Sequence, residues 1–337
     1  MLFSAGMKLP VLLAAALASC TPLPDDPATR PDGGGGGGGG GGKADGTGTA
    51  MRLLQANVGN VAVTCTTYKY KLCYAATEER LAAAIANLDP DVISLQETVS
   101  AAQCAAMTES DAAKVCFATH TAAIEVQARR LVGAAYTVAC DTRAHYECVA
   151  IKRTWGAIRG CADGELCIAS AVAQTADAGA GCDPGFSVSA VTVEPRRGAA
   201  FRLVDLHPPS GKAVACRRAA LVDVFEGPAA LARGNRSLLS GDFNLDPFAG
   251  TDASEDYLRS RVGPGTAFHF HSGTAEHQPP FLTAVYDWPL GSFTYDHVIS
   301  NFAAGTCRTL GAAPGTVRLD GGTGTDHRAL VCDLDIE

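Results

Sequence analysis

The chain is 337 residues long, 47% apolar and 18% charged, with a net charge of −8. That acidic balance argues against strong, sequence-independent adhesion to nucleic acid, which needs a basic face. It leaves open chemistry on phosphate in which a divalent cation carries the positive charge.

Residues 1–20 read as a targeting segment. Met7-Lys8 gives a short positive start, and residues 11–17 form an apolar run too short to span a bilayer as a stable anchor. The run closes on Leu17-Ala18-Ser19-Cys20, which resembles the lipobox of bacterial lipoproteins, whose cysteine becomes the lipidated N-terminus. Cys20 is therefore the expected lipidation site, and an ordinary secretory peptide is the alternative. Each buried acyl methylene contributes about 0.8 kcal/mol, so several chains on one cysteine would hold the protein on the envelope, at the outer membrane or cell surface. Residues 21–50 are a Pro/Gly-rich linker. Pro22, Pro24, Pro27 and Pro31 precede an unbroken glycine tract at 33–42, with no apolar cluster to offset ordering entropy. Lys43-Ala44-Asp45 lacks the Lys-Ser or Lys-Thr pair of a phosphate-cradling loop, so the linker reads as a tether. No later stretch approaches transmembrane length.

Removing Cys20 from thirteen cysteines leaves twelve between Cys65 and Cys332, an even set that suggests disulfides in an exported chain. Close spacing pairs Cys65 with Cys73, Cys104 with Cys116 and Cys140 with Cys148. Cys161, Cys167 and Cys182 share a loop-rich insert, and Cys307 with Cys332 could staple the last strands. No Cys-x-x-Cys pair supports structural zinc.

Residues 51–337 are enough for one large domain. Residues 51–57 read as a strand. Residues 77–88 read as a helix with Thr77 as N-cap, Leu81, Ile85 and Leu88 on one face, and Asp89-Pro90 as the stop. A strand at 91–97 and a helix at 119–132 follow. Strand-like runs occur at 135–139, 148–152, 186–193 and 201–207, then a helix at 211–225, then strands at 237–241, 293–300 and 329–335. Many strands, few helices and no strict βαβ rhythm predict two sheets packed face to face with helices outside.

Six apolar runs end in residues that can hold a metal or move a proton: Asn57, Gln96-Glu97, His207, Asp242 and Asn244, Asp296-His297, and Asp326-His327. In Ser240-Gly241-Asp242-Phe243-Asn244 the glycine permits a sharp turn, and the two polar residues project to one side of an extended segment. Alone this could be an Asx-turn. Thr325-Asp326-His327, Tyr295-Asp296-His297 and Glu97, an acid after an apolar run where an unpaired charge is costly, change that reading.

Together these motifs, in this order, resemble the endonuclease/exonuclease/phosphatase superfamily over residues 51 to about 335. The resemblance implies a four-layered α/β sandwich, with two packed, mostly antiparallel sheets flanked by helices. It also implies cleavage of phosphoester bonds dependent on magnesium, with manganese or calcium as alternatives. Carried over, Glu97 is the principal metal carboxylate, Asp326 completes the metal shell, and Asn57 touches metal or phosphate. His327 is the general base or acid, with Asp296 holding its ring, and His207 lies close to the scissile phosphate. Asp242 and Asn244 orient the attacking water and stabilise the transition state. Glu147, in His145-Tyr146-Glu147-Cys148, is the candidate partner of His207. A hard cation offsets charge on the phosphate, and a carboxylate–histidine pair works near neutral pH.

Other residues read as ordinary. His269-Phe270-His271 fits a surface hairpin, and Arg129-Arg130, Arg196-Arg197 and Arg217-Arg218 fit solvated surfaces. Trp288-Pro289 fits a cleft rim or a packed loop. The expected substrate is a phosphoester, with DNA or RNA favoured. A lipid phosphodiesterase or phosphomonoesterase is the alternative, a non-catalytic surface lipoprotein a third, and no obligate protein partner is evident.

Overall fold

The structure is a computed structural model. It describes residues 49–59, 75–98, 127–141, 146–168, 174–176, 182, 187–211, 213–226, 230–232, 234–248, 250–272, 284–285, 292–310 and 327–337. Cys20 and the rest of residues 1–48, Cys65, Cys73, Cys104, Cys116, Trp288-Pro289 and Asp326 lie outside these.

The chain begins with β1 (Ala50–Asn57), α1 (Ala75–Leu88), β2 (Val92–Thr98), α2 (Gln127–Val132), β3 (Tyr136–Asp141) and β4 (Tyr146–Lys152). Short strands β5 (Gly156–Ile158), β6 (Leu166–Ile168) and β7 (Gln174–Ala176) lead to β8 (Ser187–Pro195), β9 (Phe201–His207) and α3 (Val214–Phe225). Then come β10 (Ser237–Asp242), α4 (Ala253–Arg261), β11 (His269–Phe270), β12 (Ala284–Val285) and β13 (Ser292–Phe293). β14 (Asp296–Ser300), β15 (Ala304–Thr309) and β16 (Leu330–Asp335) close the fold.

The first sheet runs β15-β16-β1-β2-β4-β3-β6, and the second β11-β14-β10-β9-β8-β5 with β7 beside β8. Both are mostly antiparallel. Each has a parallel pair near its centre, β1 with β2 and β9 with β10, and the first sheet has a second at its edge, β3 with β6. A parallel pair needs a crossover, and α1 and α3 lie within the two central connections.

Alternation along the strands sorts side chains into layers. Leu54, Ile93 and Val331 face α1 and α2, packing with Leu81, Ile85 and Leu131. Their neighbours Leu53, Val92 and Cys332 face the other way, meeting Leu203, Leu238 and Val298 between the sheets. Val204, Leu239 and Ile299 turn outward onto Leu221 and Leu258 of α3 and α4. The order is helix, sheet, sheet, helix. Each buried leucine contributes about 1.5–3 kcal/mol.

The boundaries are set by local chemistry. α1 is already helical at Ala75, so Thr77 lies inside it and is not its cap. It ends where Asp89, at φ 49°, leaves the helix before Pro90. α4 starts with a full capping box between Asp252 and Glu255. The expected strand at 293–300 is broken, because Thr294 N donates to Asp246 Oδ2 instead of joining a ladder. Disulfides join Cys140 to Cys148 and Cys307 to Cys332 across strand pairs, and Cys161 to Cys167. Cys182 bonds Cys216, a partner that spacing did not single out.

Two surface assignments are corrected. Arg217 is 4% exposed, while Arg218 is exposed. His271 is buried, its ring nitrogens within 3.0 Å of Gly305 O and 2.8 Å of Ser300 Oγ, so only His269 of that segment is exposed.

Candidate active site

Between the sheets the interior changes character along each strand. Leu53, Val92, Leu203 and Leu238 form an apolar rung; Gln55, Ser94, Asp205 and Ser240 form a buried polar one; Asn57, Gln96, His207 and Asp242 lie at the strand ends. Two-residue alternation carries every side chain in this series to the same face.

Glu97 reaches that face by a departure from regularity. Leu95 pairs with Cys148 and Thr98 with Tyr146, so Gln96 and Glu97 together oppose Glu147 alone. This two-against-one bulge places Glu97 at φ 60°, the left-handed region, and both neighbours turn inward. Gly241, at φ 149°, is needed for a different reason: a Cβ there would stand 2.0 Å from Leu206 O of the adjacent strand. Its absence lets β9 and β10 close up, bringing His207 beside Asp242.

Two histidine–carboxylate pairs straddle the sheets. His207 Nδ1, from the second sheet, lies 2.8 Å from Glu147 Oε1 in the first. His327, three residues before β16 of the first sheet, places Nδ1 2.8 Å from Asp296 Oδ2 in the second. Their Nε2 atoms approach one oxygen, Asp242 Oδ2, at 3.7 and 3.6 Å. Those distances exceed hydrogen-bonding reach, so neither nitrogen is committed to Asp242. Asn57 Nδ2 donates to the same oxygen at 3.0 Å and to Glu97 Oε1 at 3.2 Å. Glu97 Oε1 is 3.5 Å from His207 Nε2.

Asn244, at φ 50°, donates its backbone N–H to Asp242 Oδ1 and its side-chain Nδ2 to Pro208 O. Arg217 anchors the same loop, donating to Pro209 O, Gly211 O, Ser254 Oγ and Asp252 Oδ2. A cavity of about 380 Å³ opens beside Asn244, bounded by Ser210, Phe293 and Tyr295 among others.

So many acids in a dry site shift one another. Burial disfavours a charged His207, but the charge and hydrogen bond of Glu147, then Asp242 and Glu97, outweigh it and push the imidazolium up to about 10. Burial likewise raises the Asp242 carboxyl, with the Asp296 charge adding to it and both histidines and the Asn244 N–H opposing.

Among the described residues, no group of three or more His, Cys, Asp or Glu is arranged to hold a metal. A single carboxylate position fits one. Glu97 Oε2 is buried without a hydrogen-bond partner while Oε1 is engaged by Asn57, leaving an acceptor-only oxygen packed against Gly59. Magnesium commonly takes one or two carboxylates and fills its shell with water and substrate phosphate. Asp326, the other expected carboxylate, lies outside the described residues.

The structure thus gathers Asn57, Glu97, Glu147, His207, Asp242, Asn244, Asp296 and His327 at one edge of the sandwich. Gln55, Ser94, Asp205, Gly59 and Arg217 carry no site role in the sequence reading, yet each touches this constellation or its supports. The inward parity of Gln55, Ser94 and Asp205, polar where apolar residues belong, was the available signal.

Among solved structures, D. rerio TDP2 complexed with single-strand DNA product is 13% identical, with 85% of this chain and 99% of that one covered at TM-score 0.56. The human Nocturnin catalytic domain with bound sulfate is 14% identical, covering 86% and 94% at TM-score 0.55. A Bacteroides thetaiotaomicron endonuclease/exonuclease/phosphatase family protein is also 14% identical, covering 86% and 96% at TM-score 0.55. At such identities the likeness is one of fold. No curated protein matches by sequence. The profile of the Endonuclease/Exonuclease/phosphatase family matches residues 54–327, and the chain belongs to that family.

Proposed function

We propose that the protein is a divalent-metal-dependent phosphodiesterase, an exported and lipid-anchored nuclease that hydrolyses DNA or RNA. One observation carries the reading: two carboxylate-backed imidazoles present Nε2 to a common oxygen of Asp242, with the Glu97 carboxylate 3.5 Å from the His207 Nε2. A cation bound there by Glu97 and Asp326 would screen the phosphate charge and acidify water or the leaving oxygen.

The chain's own groups supply the rest. Asp296 accepts from Nδ1–H of His327, fixing the tautomer whose Nε2 can take or give a proton. Asp242 and Asn244 orient the attacking water. His207, kept charged by Glu147, neutralises a phosphate oxygen, and Asn57 donates to the same cluster. Four disulfides among the described cysteines support an oxidising compartment, in keeping with a leader at 1–20 and lipidation of Cys20. The DNA product in the D. rerio structure supports nucleic acid over phospholipid.

The test is a parallel assay of the full chain on plasmid DNA, RNA, sphingomyelin liposomes and inositol phosphates, with magnesium and with chelator. Nicking of DNA or RNA that chelation abolishes is expected. Activity indifferent to chelator, or kept by His327→Ala, defeats the mechanism. Release of phosphocholine without nicking moves the substrate to lipid.

A further inference from the structure

Behind His327 a file of buried side chains crosses from one sheet to the other and back. Ser94 Oγ and Gln96 Nε2 both donate to Asp205 Oδ1 at 2.7 Å. Gln96 Nε2 also donates to Ser94 Oγ, at 2.9 Å. Gln96 Oε1 accepts from Gln55 Nε2 at 2.8 Å, and Gln55 Nε2 also donates to Asp296 Oδ1 at 2.7 Å. Asp296 spends its other oxygen on His327 Nδ1. None of Asp205, Ser94, Gln96, Gln55 and Asp296 is more than 1% exposed.

A carboxamide has a donor end and an acceptor end, so its direction is fixed only by what stands at each. Asp205 Oδ1 accepts both bonds, as a carboxylate oxygen or as the carbonyl oxygen of the neutral acid. It therefore holds Gln96 nitrogen-first, which turns the Gln96 oxygen to Gln55, which turns the Gln55 nitrogen to Asp296. Reverse Gln96 and the Gln55 carbonyl would face the Asp296 carboxylate.

We propose that Asp205 is a positioning residue whose acceptor oxygen sets the direction of the Gln96–Gln55 relay and thereby holds Asp296, and through it the His327 ring, in working orientation. Burial, reinforced by the charge of Glu147, raises the Asp205 carboxyl well above the usual carboxylate range, while the Ser94 and Gln96 hydrogen bonds oppose this. A neutral acid accepts through its carbonyl oxygen, and an asparagine amide offers the same oxygen in the same shape. Outer-shell partners that orient metal-bound histidines typically matter by about 10–100-fold, and a like scale is expected for a partner that orients His327.

The inference rests on the reading of His327 above, and four variants of the full chain separate the two. On a labelled DNA oligonucleotide with magnesium, Asp205→Leu is expected to lower kcat about 10–100-fold at unchanged KM. Asp205→Asn is expected to recover kcat to within about threefold of the native chain, because its oxygen still accepts. Gln55→Met, which cuts the relay at its last link, should lose kcat as Asp205→Leu does, and carries the test if Asp205→Leu does not fold. A native kcat in Asp205→Leu or Gln55→Met overturns the relay, as does equal loss in the leucine and asparagine variants. His327→Ala is run alongside: if active, the His327 reading falls; if inactive beside an active Asp205→Leu, only the relay falls.

Discussion

Gly59 offers the sharpest probe of the proposed cation site. Its N–H donates to Asn57 Oδ1, and its Cα lies against the Glu97 carboxylate. A Cβ built there would stand 1.9 Å from Glu97 Oε2 and 2.8 Å from Glu97 Cβ. Gly59 is not in the left-handed region, so alanine suits the backbone and the whole conflict falls on Glu97. To reach ordinary contact at 3.4 Å, the oxygen must retreat by about 1.5 Å. A displacement of about 1 Å at a reacting centre can cost about 10²-fold, equivalent to about 2.7 kcal/mol. Gly59→Ala should therefore lower kcat/KM on DNA about 10²-fold and weaken magnesium binding about 10–100-fold. The thermal unfolding midpoint in chelator should fall as well, since the 2.8 Å approach to Glu97 Cβ presses on the β2 backbone and not only on the carboxylate. Calorimetric titration with magnesium and the cleavage assay read the two effects separately. Native magnesium affinity together with native cleavage would refute the placement of the cation at Glu97.

Three further variants follow from the structure. Asp296→Asn should cut kcat by about 10²–10⁴-fold through loss of the His327 tautomer. Glu147→Gln should instead lower the His207 pKa from about 10, since the Glu147 carboxylate is the largest influence raising it; NMR titration in chelator checks this, and an unmoved His207 defeats it. Arg217→Met strands Asp252 and the Pro209 and Gly211 carbonyls, and should cost about 2–4 kcal/mol in a urea melt. Burial opposes, but hydrogen bonds from Ser254, Glu255 and Arg217 hold the Asp252 carboxyl at about 2 in the fold. Its unfolded value is about 3.9, so its stabilisation is complete above pH ~4 and lost as pH falls through the folded value. Arg217→Met should accordingly begin acid unfolding at higher pH than the native chain; coincident acid curves by circular dichroism count against it.

The strands were legible because apolar runs with polar ends announce themselves at a period of two. Asp242, Asn244, Asp296 and His327 were legible because the chemistry of phosphate needs those types together. Glu97 was legible as a residue and not as a geometry: simple alternation sends it away from Gln96, and only the bulge returns it. Arg217 was misread because a doubled arginine on a helix resembles a solvated face, whereas it folds back onto the Pro209 and Gly211 carbonyls just before α3 and meets Asp252 from 35 residues away. His271 failed similarly, since its partners Ser300 and Gly305 lie about thirty residues away. Cys182 found Cys216 rather than a local mate because folding, not spacing, sets proximity over 34 residues. Polar residues in the second rung were visible, but their linkage depends on the stacking of two sheets that no single strand records.

Each histidine and its carboxylate belong to different sheets, and this ties activity to cooperativity. On the proposed mechanism, neither half of the sandwich contains a complete proton-transfer unit. A slip between the sheets would uncouple both units together, leaving no intermediate with half the function. Cleavage is then an all-or-none gauge of whether the two halves have docked, and its loss during unfolding should coincide with the loss of the inter-sheet core.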